Sequence, residues 1–243
     1  MTRVNITIPC YNEEKIIGPN IDQVIYYCQK NLSEYQWQII IADNGSKDKT
    51  FFLAQKKAIQ YSNLKCFSLK TPGKGAAIKE AWLNYPAEIN IFMDADLATD
   101  LTFLPQLIKP LKNKKADLII GSRRQKQSQT QRSWWRSFLS NIYNFIIKLL
   151  FNLEITDASC GFKAASQELI KNIVPQTKND GFFFDTELLI LSHYYKFVIK
   201  EIPVIWQDEK ERKTKVKIIR TCFNYLKELI KLKKKIIKMP GLK

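Results

Sequence analysis

The sequence predicts an α/β fold with a mostly parallel central sheet and helices on both faces of that sheet. Short apolar runs alternate with segments of helical periodicity through the first half of the chain. A polar, charged or glycine-rich segment follows each apolar run, which is typical of the ends of parallel strands. The 243 residues are 45% hydrophobic and 26% charged, which is the balance of a folded globular protein.

The predicted elements follow in order along the chain. Right-handed crossovers between parallel strands place the connecting helices on both faces of the sheet. Strands and helices alternate in the first half at 4–8, 13–30, 38–42, 48–60, 64–69, 75–84, 89–93, 101–111 and 117–120. In the less regular second half, the pattern predicts helices over 137–153 and 182–197 and a strand over 198–205.

The helix over 137–153 is apolar, with Lys148 as its one charge. Its 17 residues include Ser140, Asn141 and Asn144, so it is too short and too polar for a membrane span. The pattern fits either a helix lying at a membrane surface or a core helix.

The net charge of +16 lies in two segments. Residues 209–243 hold 13 Lys/Arg and 3 Glu, and residues 112–136 hold 8 Lys/Arg and 1 Asp. Basic segments commonly bind phosphates, although a solvated face is the alternative. Residues 216–239 show apolar positions at helical spacing among lysines, which predicts an amphipathic helix that binds an anionic membrane surface or packs on its own domain. Few aromatic residues interrupt this tail, so we expect no nucleic acid partner.

Two residue types limit the possible chemistry. Five cysteines are scattered without a CxxC pair, which indicates reduced thiols in a cytosolic compartment. His193 is the single histidine, which excludes His-based zinc sites and disfavours a Ser-His triad.

Asp94 and Asp96 directly follow the predicted strand 89–93. If the segment stays extended, alternation points both carboxylates the same way. Two like charges in one place favour a cation between them, and oxygen ligands suit Mg²⁺ or Mn²⁺. The alternative is a pair of loop aspartates ahead of a helix that Asp100 caps.

Two further strand ends carry candidate ligand-binding groups. The segment from Asp43 to Ser46 either binds a nucleoside through its side chains or forms an ordinary Asx turn. Gly73-Lys74-Gly75 allows backbone amides to approach a phosphate beside a lysine. GxxxxGK[ST] and a GxGxxG after the first strand are both absent, which argues against a P-loop and against a dinucleotide-binding domain.

These segments together resemble glycosyltransferase family 2, which has the GT-A fold. The resemblance is carried in order by IPCYNEE, ADNGSKDKT, GKGAAIKEA, FMDADL, IIGSR, DASCGFKAAS, FFFDTELL and IKEIPVIW. The last three, with the RSWWR segment at 132–136, are similar to the dolichyl-phosphate glucosyltransferase branch, with dolichyl-phosphate mannose synthases as near neighbours. Residues 43–44 read Asp-Asn, where the family more often has Asp-Asp. The resemblance implies a GT-A catalytic domain over 1–208, with a basic loop and interfacial helix at 122–153, and a basic tail over 209–243.

The resemblance also implies roles for individual residues. Asp94 and Asp96 would be the catalytic residues and the ligands of Mg²⁺ or Mn²⁺. The implied donor-binding residues are Pro9, Tyr11, Asn12, Glu13, Asp43, Lys74, Asp94, Ala95, Asp96 and Lys215.

The acceptor is expected beside the basic segment. Arg123, Arg132 and Arg136 precede the apolar helix, so guanidinium groups would bind a lipid phosphate and the helix would contact the lipid chain. Glu187 and Asp185 either face the acceptor or sugar, or stabilise a helix N-terminus.

The expected activity is inverting hexosyl transfer from a nucleotide-sugar, with UDP-glucose favoured and GDP-mannose second, to a polyprenyl phosphate. Such an enzyme would be a peripheral protein on the cytoplasmic side of a membrane, with no transmembrane span. The alternative is a soluble family 2 enzyme that acts on a polysaccharide or another glycan.

Overall fold

A computed structural model describes residues 1–131, 134–207 and 218–238. The strands within these ranges are β1 (Arg3–Cys10), β2 (Gln36–Asp43), β3 (Leu64–Ser68), β4 (Ile89–Met93), β5 (Leu118–Ser122), β6 (Gln129–Gln131), β7 (Phe162–Ser166), β8 (Ile199–Pro203) and β9 (Ile205–Gln207). The helices are α1 (Ile17–Asn31), α2 (Thr50–Gln60), α3 (Lys74–Asn84), α4 (Leu104–Lys112), α5 (Trp134–Phe151), α6 (Gln167–Ile173), α7 (Phe184–Tyr194) and α8 (Ile218–Ile237). Every strand and helix predicted above has a counterpart here.

The central sheet has seven strands in the order β3-β2-β1-β4-β7-β5-β8. All neighbouring pairs are parallel except the two that involve β7, which runs antiparallel to both β4 and β5. β6 and β9 form a separate two-stranded parallel sheet. The predicted mostly parallel sheet is therefore confirmed, while the alternating pattern predicted neither β7 in this sheet nor the short strand β6.

Helices cover both faces of the sheet, as predicted, because successive strand side chains point to opposite sides. In β2, Ile39 and Ile41 join the hydrophobic core that α1 and α4 cover. Ile40 between them joins the second core, under α3, α5, α6, α7 and α8. All three isoleucines are fully buried.

α5 and α8 each divide into a packed face and an exposed apolar face. Ile147 of α5 and Leu229 of α8 are fully buried in the second core, and the rings of Tyr143 and Tyr225 lie 5.3 Å apart between the two helices. The predicted tail helix thus packs on its own domain over part of its surface. None of the helices within the described residues is long and apolar enough to cross a membrane.

Candidate active site

The candidate site lies where β1 has β2 on one side and β4 on the other. In doubly wound sheets a crevice opens at such a switch point, at the carboxyl ends of the strands. Residues 9–13, 43–46 and 94–96 stand at these three strand ends. The fold therefore brings together three of the segments from which the sequence predicted a donor site.

The loops after β1 and β2 are hydrogen-bonded to each other. The Asn12 backbone N–H donates to Ser46 Oγ over 2.9 Å, and Asn12 Oδ1 accepts from the Lys47 N–H over 2.8 Å. The Glu13 N–H donates to Thr50 Oγ1 over 2.7 Å. Asn12 has a φ of 53°, a left-handed conformation that asparagine tolerates better than most residues. Among the predicted donor ligands here, Pro9 is buried, and Tyr11, Asn12 and Glu13 are partly exposed.

Asp43 lies fully buried at the base of these loops. Its Oδ2 accepts from the Ser68 hydroxyl over 2.5 Å and from the Ser46 N–H over 3.2 Å. Asn44 Oδ1 accepts from the Gly73 N–H at the start of α3. Asp43 and Asn44 thus tie the end of β2 to two neighbouring loops, and contact between Asp43 and a nucleotide stays a prediction.

Asp94, Ala95 and Asp96 form a turn rather than an extended segment. β4 ends at Met93, the Leu97 N–H donates to the Asp94 carbonyl over 3.2 Å, and Leu97 has a φ of 52°. Strand alternation therefore does not set the directions of the two carboxylates, and the premise used above was wrong. Asp96 Oδ1 accepts from the Ala98 N–H over 3.2 Å, while Asp94 turns toward α3.

Asp94 and Asp96 fit a divalent cation that is shared with a substrate. In the residues described, no group of three or more His, Cys, Asp or Glu side chains is placed to hold a metal ion by itself. Mg²⁺ is commonly held by one or two carboxylates together with substrate phosphates. Both aspartates are partly exposed at the crevice, so a diphosphate could supply the remaining oxygen ligands.

Lys74, the first residue of α3, lies between two carboxylates. Its Nζ is 2.8 Å from Asp94 Oδ1 and 3.4 Å from Asp185 Oδ2. Although burial disfavours the ammonium, Asp185 and Asp94 raise the pKa of Lys74 above its ordinary value. The lysine is therefore charged at neutral pH and contacts the Asp94 turn, while its contact with a diphosphate stays a prediction.

β7 brings Gly161 and Lys163 to the same place, which the sequence analysis missed. The Asp94 N–H donates to the Gly161 carbonyl over 3.0 Å. Lys163 is fully buried, and its Nζ lies 3.0 Å from Asp185 Oδ1. The signal was present in the DASCGFK motif, but no strand was predicted there to place it.

Arg123 forms a buried, two-pronged ion pair with Asp157. Nε lies 2.7 Å from Oδ2 and Nη2 lies 2.8 Å from Oδ1, and Nη2 also donates to Ser159 Oγ over 3.1 Å. The guanidinium also lies over the Trp206 ring, 5.5 Å from its centroid. Burial disfavours the charge, but Asp157 raises the pKa of Arg123. This geometry gives Arg123 a structural role beside the predicted acceptor role.

Arg124 is the neighbouring guanidinium without such a partner. Its Nη1 donates to the Ser137 carbonyl in α5 over 3.2 Å, and none of the carboxylates in the described ranges forms an ion pair with it. Burial and the adjacent Arg123 lower the pKa of Arg124, with Asp157 opposing them. Arg124, which the sequence analysis did not select, is thus a cation next to the first turn of α5.

Of the other predicted acceptor residues, the structure describes the side chain of Glu187 but not those of Arg132 and Arg136. Glu187 is 4% exposed, and its Oε2 accepts from the backbone N–H groups of Lys178 and Asn179 over 2.9 and 2.8 Å. It lies two residues beyond Asp185 on α7, and positions two apart do not share a helix face. The structure therefore supports a loop-holding role for Glu187. Arg132 and Lys215 lie outside the described residues, and Arg136 belongs to α5 but its side chain is not described.

Residues 5–174 match the protein family described as Glycosyl transferase family 2. The chain belongs to glycosyltransferase family 2. This family 2 domain is 30% identical over 220 residues to a dolichyl-phosphate beta-glucosyltransferase of Trichomonas vaginalis, covering 86% of this chain and 65% of that protein. It is also 30% identical over 220 residues to the dolichyl-phosphate beta-glucosyltransferase of Homo sapiens, covering 85% of this chain and 68% of that protein. The chain thus spans about two thirds of the length of these relatives.

A solved structure shares the fold of the family 2 domain. Glucosyl-3-phosphoglycerate synthase from Mycobacterium tuberculosis, in complex with Mn²⁺, UDP and phosphoglyceric acid, matches with a TM-score of 0.71 at 18% identity. The match covers 98% of this chain and 80% of that protein. The predicted GT-A fold is confirmed.

Proposed function

We propose that this family 2 domain transfers a hexose from a nucleotide-sugar to a polyprenyl phosphate. The observation that carries the proposal is that a donor-type crevice at Asp94 and Lys74 occurs together with a guanidinium beside the apolar helix α5, that of Arg124, which forms no ion pair with a carboxylate of the described residues. Both relatives named above are dolichyl-phosphate beta-glucosyltransferases, which supports glucose and a lipid phosphate. We take UDP-glucose as the favoured donor and GDP-mannose as the second.

The donor diphosphate is assigned to the edge formed by Lys74 and the Asp94 turn. An ammonium has three N–H donors, and Asp94 and Asp185 use two of those on Lys74. None of the described hydrogen bonds uses the third, which we assign to a phosphate oxygen. Asp94 and Asp96 would hold Mg²⁺ or Mn²⁺, which supplies positive charge to the departing diphosphate. If so, Asp96→Asn weakens Mn²⁺-dependent UDP binding.

The reaction needs alignment and charge stabilisation more than proton transfer. An acceptor phosphate oxygen attacks the anomeric carbon, the bond from that carbon to the diphosphate oxygen breaks, and the nucleoside diphosphate leaves with the electron pair. A phosphate monoester has a second pKa of about 6, so it is largely a dianion at neutral pH and needs no general base. In-line displacement of this kind inverts the anomeric configuration.

The acceptor phosphate is assigned to Arg124, with Arg132 and Arg136 as further candidates. A guanidinium carries five N–H donors, and the described contacts of the Arg124 side chain use one of them. Its bond to Ser137 holds it against the first turn of α5. A lipid phosphate bound there would have the outer face of α5 beside its apolar chain.

A membrane-facing surface is assigned to the exposed apolar faces of α5 and α8. The α5 stripe consists of side chains spaced three or four residues apart, namely Trp135, Phe138, Ile142, Phe145 and Leu149. The α8 stripe consists of Phe223, Leu226, Ile230 and Ile237. Exposed lysines flank it at Lys227, Lys231, Lys234 and Lys238, which suits an anionic lipid surface. We therefore propose a peripheral protein on the cytoplasmic side of a membrane.

The deciding experiment offers radiolabelled UDP-glucose and GDP-mannose separately to the purified protein, with polyprenyl phosphate and Mg²⁺ or Mn²⁺. We expect label in the organic phase with UDP-glucose, and its loss with EDTA. Label from GDP-mannose alone would reassign the sugar. No organic-phase label from a folded protein that binds UDP would overturn the lipid acceptor and favour a soluble glycan.

A further inference from the structure

Four charged side chains beside the proposed donor site form a chain that ends deep in the core. Asp94 contacts Lys74 at 2.8 Å, Lys74 contacts Asp185 at 3.4 Å, and Asp185 contacts Lys163 at 3.0 Å. The charges alternate in sign and sum to zero. Exposure falls along the chain, since the Asp94 side chain is 45% exposed, that of Lys74 12%, that of Asp185 7% and that of Lys163 0%.

Asp185 is shared between the two lysines, with one carboxylate oxygen for each. Oδ1 accepts from Lys163 and Oδ2 accepts from Lys74. Although burial disfavours the carboxylate, Lys163 and Lys74 lower the pKa of Asp185, so it stays ionised. Lys163 is held in turn by the Ala158 carbonyl at 2.9 Å.

Phe92 forms the wall behind both ammonium groups. It pairs with Lys163 across β4 and β7, and the ammonium nitrogens of Lys74 and Lys163 lie 5.3 and 5.5 Å from its ring centroid. The favourable interaction of a cation with an aromatic ring limits where each ammonium can settle. The pairing of β4 with β7 therefore places Lys163 against Phe92, and Lys163 in turn holds Asp185.

We propose that Lys163 and Asp185 are positioning residues that hold the Lys74 ammonium at the donor diphosphate. This inference rests on the proposed function and extends it to two buried residues. Lys163 neutralises part of the charge on Asp185, so Asp185 holds Lys74 without drawing it away from Asp94. Without Lys163, the buried carboxylate of Asp185 has Lys74 as its remaining cation within the four-residue chain, and it draws the Lys74 ammonium closer at the expense of the diphosphate.

The test measures the affinity for UDP in the presence of Mg²⁺ by calorimetry. For Lys163→Met we expect UDP binding weaker by about ten- to a hundredfold, which is the effect of losing one charge-assisted hydrogen bond. Lys163→Arg should keep most of the affinity. The double variant Lys163→Met/Asp185→Asn removes one charge of each sign, and we expect it to bind UDP more tightly than Lys163→Met alone.

Lys79→Met is the matched control. Lys79 lies on the same helix α3 and pairs with Asp180, which is not a member of the four-residue chain. Its loss should leave UDP affinity unchanged. A merely structural Lys163 would lower the stability of the variant and leave the affinity of its folded fraction at the wild-type value, without rescue in the double variant.

The outcomes separate this inference from the proposed function. A folded Lys163→Met protein with wild-type affinity for UDP overturns the inference. If Lys163→Met does not fold, Asp185→Asn replaces it, and wild-type UDP affinity in that variant has the same meaning. A wild-type protein that binds UDP but transfers no sugar to the lipid overturns the proposed acceptor and leaves the positioning of Lys74 standing. A crystal structure of Lys163→Met should show Lys74 Nζ moved from Asp94 toward Asp185.

Discussion

Gly161 lies directly against the carboxylate of Asp94. A Cβ built on Gly161 would stand 1.9 Å from Asp94 Oδ2 and 2.3 Å from Cγ, far inside van der Waals contact. Any side chain at 161 must therefore push the carboxylate out of its position. We expect Gly161→Ala to lower metal-dependent transfer by roughly a hundredfold or more, since small displacements in a site cost that much.

Gly18→Ala is the control for that substitution. A Cβ at Gly18, inside α1, meets nothing within 4 Å. Gly18 is the second residue of α1 and precedes Pro19, whose ring disfavours a helical residue that carries a Cβ before it, so we expect no gain in stability and full activity. Equal activities of the two variants would remove the Asp94 position from the mechanism.

Gly161 and Lys163 also show what could be predicted from the sequence and what could not. The alternation of apolar runs predicted the parallel strands, because a segment with helical periodicity follows each run. β7 has no such partner, since it enters the sheet antiparallel between β4 and β5 and is followed by the short helix α6. The motif that carries both residues was visible, but only the pairing of β7 with β4 places it at Asp94.

The roles of the arginines could not be predicted from charge alone. Arg123 and Arg124 look equivalent in the sequence, yet Asp157, 34 residues further on, forms an ion pair with Arg123. Glu187 likewise looked like a site residue, but its position on α7 turns it toward a loop. Long-range partners of this kind depend on the packing of the second half, where the periodicity was weakest.

Arg123 and Arg124 should therefore respond differently to the same substitution. Arg123→Met removes the two-pronged cationic partner of the fully buried Asp157 carboxylate, which should cost about 3–5 kcal/mol of stability in chemical denaturation. Arg124→Met removes no ion pair from the part of the chain that the structure describes, and it should cost less than about 1 kcal/mol. It should raise the KM for polyprenyl phosphate by about tenfold or more and leave the KM for the nucleotide-sugar unchanged. An unchanged acceptor KM would remove Arg124 from the acceptor site.

The pH dependence of the free energy of unfolding should reflect the charged side chains of Asp185 and Lys74. Lys163 and Lys74 hold the pKa of Asp185 below 3.8 against the effect of burial, so the unfolded state binds the extra proton. The contribution of Asp185 is then fully present above about pH 5 and is lost as the pH falls through its folded pKa. The contribution of Lys74 to stability depends on pH in the opposite direction. Because its pKa is raised in the folded state, this contribution is lost only as the pH rises beyond 10.5 toward the folded value.

Urea unfolding at several pH values tests this. Wild-type stability should fall more steeply below about pH 4 than that of Asp185→Asn, which has no carboxylate to protonate. Between about pH 5 and 10, Asp185 should cause no change with pH in the difference between the unfolding free energies of the wild type and Asp185→Asn. A steeper acid loss in the variant would contradict the assigned sign.

The exposed stripe on α5 should determine how tightly the protein binds a membrane. Phe145 and Leu149 are 66% and 73% exposed, and burying each in lipid is worth about 1.5–3 kcal/mol. We expect Phe145→Ser/Leu149→Ser to weaken binding to vesicles of phosphatidylcholine and phosphatidylglycerol by at least about tenfold. Ile59→Ser is the control, because Ile59 is 86% exposed on α2, away from both stripes, and its loss should change nothing. Salt should weaken wild-type binding because it screens the lysines of α8. Vesicle binding that changes neither with the α5 substitutions nor with salt would contradict the proposed membrane-facing surface.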